Sequence, residues 1–99
     1  MFESEMLESI GESLEKIRLV YKNASEERKK YIKEWIEGIT IDKNDGSGFL
    51  NVEFDGEGIT VIDEDTNEKI ELEDLKEGEL WFLAGELEDL IEELDEKDE

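Results

Sequence analysis

The hydrophobic period of the chain changes twice, and this change restricts its fold more than any other feature. Apolar residues follow three- and four-residue spacing up to Ile36, alternate with polar residues from Ile39 to Leu72, and return to helical spacing from Leu80 to Leu94. A period near 3.6 indicates amphipathic helices, and a period of two indicates half-buried strands. Since 99 residues suffice for one small domain, the sequence predicts a single two-layer α+β domain over residues 1–99.

Two helices are predicted before the alternating block. The first has Ser4 as its N-cap and Asn23 as its stop, and the second has Ser25 as its N-cap and Gly38 as a left-handed C-terminal residue. Their apolar stripes are Phe2, Met6, Leu7, Ile10, Leu14, Ile17 and Tyr21, and then Tyr31, Ile32, Trp35 and Ile36. Arg28, Lys29, Lys30 and Lys33 form a basic cluster, which we expect to pair with Glu26, Glu27, Glu34 and Glu37 on a solvated helix face.

The alternating block predicts an antiparallel meander of three to four strands joined by short turns. Turn-rich segments lie at residues 42–48, at Asp55-Gly56 and at residues 63–67. The alternating apolar residues are Ile39 and Ile41, then Leu50, Val52 and Phe54, then Ile59, Val61 and Ile62, and finally Ile70 and Leu72.

The third helix gives the clearest periodic signal, and we expect it to begin near Gly78 or Glu79. Its apolar stripe consists of Leu80, Leu83, Ala84, Leu87, Leu90, Ile91 and Leu94, and the tail from Asp95 to Glu99 is expected to fray. The predicted order is therefore α-α-β-β-β-β-α, with three helical stripes covering one face of the sheet.

Acidic residues are concentrated in the second part of the chain. The formal net charge is -21, of which residues 39–99 contribute -19 and residues 1–38 only -2. Non-specific binding to nucleic acid or to an anionic membrane is excluded, because both would repel such a chain. A general pressure for solubility would spread the acids more evenly, so the asymmetry favours a functional acidic surface; drift toward a low isoelectric point is the alternative.

The absence of His and Cys argues against an enzyme and against a metal or other cofactor. Without them the chain lacks the commonest general base, the commonest metal ligand and any thiol nucleophile, and it has no phosphate-binding glycine loop. The segment from Asp42 to Glu53 has the length of a calcium loop, but Ser47 stands where that loop needs Gly, so a plain hairpin loop is predicted. No signal peptide or membrane-length apolar run is evident, which predicts a cytoplasmic protein.

The third helix carries acids where helix stability would favour bases. From Glu86 to Glu99 there are nine acids and one base, and their spacing places like charges next to each other. Acids near a helix C-terminus also oppose its dipole. Either a basic partner or simple solvation explains them. Trp81 and Phe82 lie between Leu80 and Leu83, before the regular part of the stripe. Either one packs at the core edge and the other is an exposed interface anchor, or both lie under the loop around Leu75.

In size and charge the chain resembles the small acidic DNA-mimic inhibitors, which include phage-encoded anti-CRISPR and anti-restriction proteins. The resemblance covers residues 39–99 and rests on charge and compactness, so it assigns no residue a role. It implies inhibition of a nucleic-acid-binding protein or nuclease complex by occupation of its basic groove, in the host cytoplasm if the chain is phage-encoded. The candidate partner-binding residues are Asp63, Glu64, Asp65, Glu71, Glu73, Trp81, Phe82, Glu86, Asp89, Glu92, Glu93 and Glu96.

Two other function classes are compatible with the same sequence. An acidic adaptor or chaperone module would bind a basic protein without displacing nucleic acid from it. A homo-oligomeric structural protein would pair the apolar stripe of its first helix with that of a second copy.

Overall fold

The computed structural model describes residues 2–96 and has the predicted order of elements within that range. The helices are α1 (Phe2–Lys22), α2 (Glu26–Glu37) and α3 (Glu77–Glu96). The strands are β1 (Thr40–Asp42), β2 (Phe49–Phe54), β3 (Ile59–Asp63) and β4 (Lys69–Ile70), and a 3-10 turn at Leu72–Asp74 connects β4 to α3. The α+β prediction is therefore confirmed.

The four strands form one antiparallel meander in the order β1-β2-β3-β4. Its register pairs Ile41 with Leu50 and Val52 with Val61, so the alternating apolar side chains share one face. These four residues are buried, whereas Glu53 on the opposite face is exposed. The sheet therefore has one face toward the core and one toward solvent.

The helices cover the apolar face of the sheet. Helix α2 packs mainly on β2, and α3 packs on β1 and lies along α1. In α1, Ile10 and Ile17 are fully buried, and the Tyr21 ring meets the Phe54 ring edge-on at 5.1 Å between centroids. The stripe of α1 thus packs inside its own chain, and a homodimer through this helix would have to use other residues, such as the exposed Leu19.

The ends of the elements correct several sequence predictions. Ser4 is not an N-cap, because α1 already begins at Phe2, and Gly38 is right-handed, with φ of -85° and ψ of -5°. The Oγ of Ser25 accepts the Arg28 backbone N–H at 3.2 Å, which confirms that cap. Helix α3 continues through Glu96, beyond the predicted onset of fraying at Asp95, and residues 97–99 lie outside the described range.

Leu72 was predicted to lie in the last strand, but β4 ends at Ile70 and Leu72 begins the 3-10 turn. The backbone N–H of Leu75 donates to the Leu72 carbonyl at 3.2 Å, which closes this turn. Leu72 packs against the core and Leu75 is buried in it. A tight turn brings two apolar residues three positions apart to the same side, which a strand cannot do.

The carboxylate of Glu79 ties the β1–β2 loop to the start of α3. One oxygen accepts the Lys76 backbone N–H and the other accepts the Asn44 backbone N–H, both at 2.8 Å. Glu79 is only 7% exposed. The first contact is the helix half of a capping box, and the second fixes the loop to the helix.

None of the helices within residues 2–96 combines the length and the apolar character needed to cross a membrane.

Candidate interaction surface

Most basic side chains of α2 form ion pairs with acids of the same helix. Ion pairs join Lys29 to Glu26 at 3.9 Å, Lys30 to Glu34 at 4.0 Å and Lys33 to Glu37 at 2.8 Å, as predicted for a solvated helix face. Arg28 differs, because its Nη2 donates to the Leu94 carbonyl at 2.8 Å. A cation from α2 therefore stabilises the C-terminal end of α3, where the sequence of α3 itself supplies only acids.

Asp63 was predicted to bind a partner, but the structure uses it internally. Its Oδ2 lies 2.7 Å from the Lys43 Nζ, and its Oδ1 accepts the backbone N–H of Asp65 at 2.8 Å. The hydrogen bond from Lys43 lowers the pKa of Asp63 and raises that of Lys43. Asp65 lies 3.7 Å from the same ammonium. These two acids hold the β1–β2 and β3–β4 loops together.

The Lys43 ammonium belongs to the segment from Asp42 to Glu53, which has the length of a calcium loop. Residues 43–48 form the β1–β2 turn, with Gly46 at φ of 75°, a conformation that favours glycine. Among the described residues, no group of three or more His, Cys, Asp or Glu side chains is arranged to hold a metal ion.

The outer face of α3 carries acids that the fold leaves uncompensated. Glu88, Asp89 and Glu92 are exposed, and Glu86 is half-buried. Within the described part of the chain, none of these four makes an ion pair or a side-chain hydrogen bond. Of the other acids predicted to bind a partner on α3, Glu93 accepts a hydrogen bond from the Tyr31 hydroxyl at 3.2 Å. The side chain of Glu96 lies outside the described part of the structure.

The two aromatic residues of α3 lie on this outer face, so the prediction that both lie under the loop around Leu75 was wrong. Trp81 is 73% exposed and Phe82 is 42% exposed. The inward stripe begins at Leu80 and continues with Leu83. Because each helical residue turns the direction by about 100°, positions 81 and 82 point away from a core that Leu80 and Leu83 face.

A groove of about 560 Å³ between α1 and α3 brings the aromatic and acidic side chains together. Its α1 wall contains Glu5, Met6 and Ser9. The α3 wall consists of Trp81, Phe82, Ala84, Gly85, Glu86, Glu88 and Asp89. We refer to these ten residues as the acidic groove.

Sequence reasoning missed the contribution of α1 to this groove. The charge of residues 1–38 was taken as one sum of -2, which hides an uneven distribution. All five acids of α1 lie in residues 3–15, and its three bases lie in residues 16–22. The acidic half borders the first part of α3 and the basic half borders its C-terminal part, where Lys16 and Asp95 line one cleft. The bases Arg18 and Lys22 line a separate cleft with Lys29 of α2. A charge count in shorter windows would have revealed this division.

The predicted acids of the sheet side are divided between two places. Glu71 and Glu73 line a cleft beside Leu7, on the side of α1 away from the groove. Glu64 is exposed in the turn after β3, near the Lys43 ion pairs. The structure thus places Glu71 and Glu73 near the acidic half of α1, but not Asp63, Glu64 and Asp65.

Comparisons of the chain with protein-family models, with curated proteins and with solved structures found no match. The acidic groove is therefore the feature that bears on the function.

Proposed function

We propose that this protein binds the basic surface of a nucleic-acid-binding protein and thereby excludes nucleic acid from that surface. The observation that supports this is the acidic groove, where Glu5 of α1 and Glu86, Glu88 and Asp89 of α3 line one concave surface. Uncompensated acids at this density are costly for a small domain. A basic partner would turn that cost into binding free energy.

The regular recurrence of acids along α3 allows competition with a nucleic acid. Duplex DNA carries one phosphate per ~3.4 Å of helix axis on each strand. Carboxylates three or four residues apart on a helix recur at roughly 5–6 Å. Glu88, Asp89 and Glu92 therefore present a row of negative charges that arginines and lysines of a DNA-binding groove can contact in place of phosphates. A nuclease complex of the type that anti-CRISPR and anti-restriction proteins inhibit is one partner of this class.

An acidic adaptor or chaperone is the second candidate, and the aromatic residues favour it. Trp81 is 73% exposed, and a phosphate backbone has no counterpart to an indole ring. Large exposed aromatics are typical anchors of protein interfaces. In this alternative the partner is held by its apolar and basic residues together, while its nucleic-acid site stays free.

A competition experiment distinguishes these two functions. The immobilised protein would capture binders from an extract, and duplex DNA or RNA at constant ionic strength would then be used to release them. One released protein would be purified, and its binding to a labelled oligonucleotide would be followed by fluorescence anisotropy. An inhibitor displaces the oligonucleotide in a concentration-dependent way, whereas an adaptor leaves the anisotropy unchanged.

Two triple variants provide the matched comparison. The test variant replaces Glu88 by Gln, Asp89 by Asn and Glu92 by Gln on α3. The control variant removes the same charge from exposed positions on the sheet and its turns, through Glu53→Gln, Glu57→Gln and Glu68→Gln. We expect the test variant to lose at least tenfold in affinity and the control to change less than threefold. Equal losses would show that only net charge matters, and the proposal would then fail.

A further inference from the structure

Gly85 lies in the middle of α3 on its solvent-exposed side, where nothing in the packing requires a glycine. A Cβ added at this position would meet no atom within 4 Å. Glycine weakens a helix interior relative to alanine. Gly85 therefore reduces the helical stability of α3 and leaves a depression in the floor of the acidic groove.

The residues around this depression have complementary chemistry. In a helix, the side chains three and four positions away on either side surround a residue. For Gly85 these are Trp81 and Phe82 on one side and Glu88 and Asp89 on the other, and all five residues line the groove. We call this arrangement the Gly85 cup: two exposed aromatic rings, two carboxylates without a partner among the described residues, and a floor without a side chain.

We propose that the Gly85 cup binds an arginine side chain of the basic partner, an inference that depends on the proposed function. A guanidinium group is planar, so it can stack on an aromatic ring while its N–H groups donate to a carboxylate. The cup offers both at once. A lysine ammonium can pair with a carboxylate, but it is a compact, strongly hydrated charge and presents no plane to stack on a ring. The surface thus selects arginine over lysine.

Charge complementarity favours a separate basic protein over a second copy of this chain as the source of the arginine. Each copy carries a net charge of -21, so two copies repel each other. Of the two arginines in the chain, Arg28 already donates to the Leu94 carbonyl. Binding of a second copy is nevertheless an outcome that the test below can detect.

Two peptides of equal charge test the inference: one alternates arginine with glycine and the other alternates lysine with glycine. Binding to each would be followed by NMR through the indole N–H signal of Trp81, which is assigned by its loss in Trp81→Phe. A cation–π contact at an exposed site contributes up to about a factor of five in affinity, and both cations can make it, but only arginine adds the stacking of its plane on the ring. We therefore expect the arginine peptide to bind roughly three- to fivefold tighter than the lysine peptide.

Variants of two glycines supply the decisive comparison. Gly85→Leu fills the cup, and Gly11→Leu makes the same change in α1 at another exposed helical glycine with no atom within 4 Å of its added Cβ. We expect Gly85→Leu and Trp81→Ala to reduce the arginine preference to less than twofold and Gly11→Leu to retain it. Leucine is a better helix former than glycine, so both leucine variants should fold.

The outcomes separate the two proposals. If both peptides bind equally well to the unchanged protein, or if the preference survives Gly85→Leu, the arginine cup is wrong and the proposed function stands. If neither peptide binds, both fail. If the Trp81 signal shifts with protein concentration in the absence of peptide, a second copy occupies the cup, and the assignment to a basic partner is overturned.

Discussion

Replacing Glu92 by lysine should make the protein more stable at low ionic strength. Glu92 is exposed and follows Glu88 by four residues and Asp89 by three, so it repels both. Removing one like-charge pair relieves roughly 0.2–0.5 kcal/mol, and creating an opposite-charge pair contributes a similar amount. Two such pairs give a gain of about 1–2 kcal/mol for Glu92→Lys and about half of that for Glu92→Gln.

Thermal unfolding followed by circular dichroism measures this effect. For a domain of this size, 1 kcal/mol corresponds to a shift in Tm of ~4–8 °C. The Debye length falls from ~30 Å at 0.01 M salt to ~3 Å at 1 M, so the gain should be large in 10 mM NaCl and mostly lost in 1 M NaCl.

Glu37→Gln serves as the control of opposite sign. It also removes one negative charge, but the Glu37 carboxylate accepts from the Lys33 Nζ at 2.8 Å and from the Phe54 backbone N–H at 3.5 Å. We expect this variant to be less stable than the unchanged protein. The reasoning is refuted if Glu92→Lys gives no gain at 10 mM NaCl, or if its gain is the same at both salt concentrations.

Further measurements test the net charge of the chain, the contacts of Glu79 and the ion pair between Lys43 and Asp63. The Tm of the unchanged protein should rise between low and moderate NaCl, because ions screen a net charge of -21. Calcium should raise the Tm no more than magnesium does at equal ionic strength. A tight calcium-specific shift in Tm would instead indicate a calcium site in the loop at residues 42–53. Glu79→Ala should reduce the free energy of unfolding measured in urea by about 2 kcal/mol or more, because the backbone N–H groups of Lys76 and Asn44 lose their acceptor. An unsatisfied buried group costs ~1–3 kcal/mol, so a loss below about 0.5 kcal/mol would contradict this prediction. Asp63→Asn should destabilise the protein at pH 6, and this loss of stability should shrink in a series of urea titrations as the pH is lowered below 3.8. The hydrogen bond from Lys43 lowers the pKa of Asp63 below its ordinary value of 3.8, so the contribution of the ion pair is complete above that value and is lost as the pH falls through the lower folded pKa. A loss that stays constant across the series would exclude the ion pair as the cause.

The order of elements was predictable because the hydrophobic period changes where helices give way to strands and back, and because cap and turn residues separate the elements within each part. The inward face of the strands followed from the same pattern, since Leu50, Val52 and Val61 are all buried as the alternation predicts. The end of β4 was not predictable in this way. Ile70 and Leu72 alternate with acids as a strand would, and only the need to bring Leu75 into the core as well selects a 3-10 turn.

The candidate surface was predicted in part, and the missing part depends on which elements become neighbours. Exposure of Glu88, Asp89 and Glu92 follows from the stripe of α3, although Glu88 was not selected from the sequence. Glu5 could be assigned to the same surface only after α1 was seen to lie along α3. Asp63 shows the converse, since nothing in its turn-rich segment indicates that Lys43, twenty residues earlier, forms an ion pair with it.

The division of charge along α1 gives this helix a dipole of side-chain charges. The helix has 21 residues and is therefore about 32 Å long at 1.5 Å per residue, with its acids toward the N-terminus and its bases toward the C-terminus. In the field of a basic surface, this dipole contributes a torque that turns the acidic end of α1, which borders the acidic groove, toward that surface before contact is made. Orientation during the approach removes part of the search that limits association. Reversing the direction of this dipole, without altering the net charge or any residue of the groove, should slow association while leaving the dissociation rate unchanged.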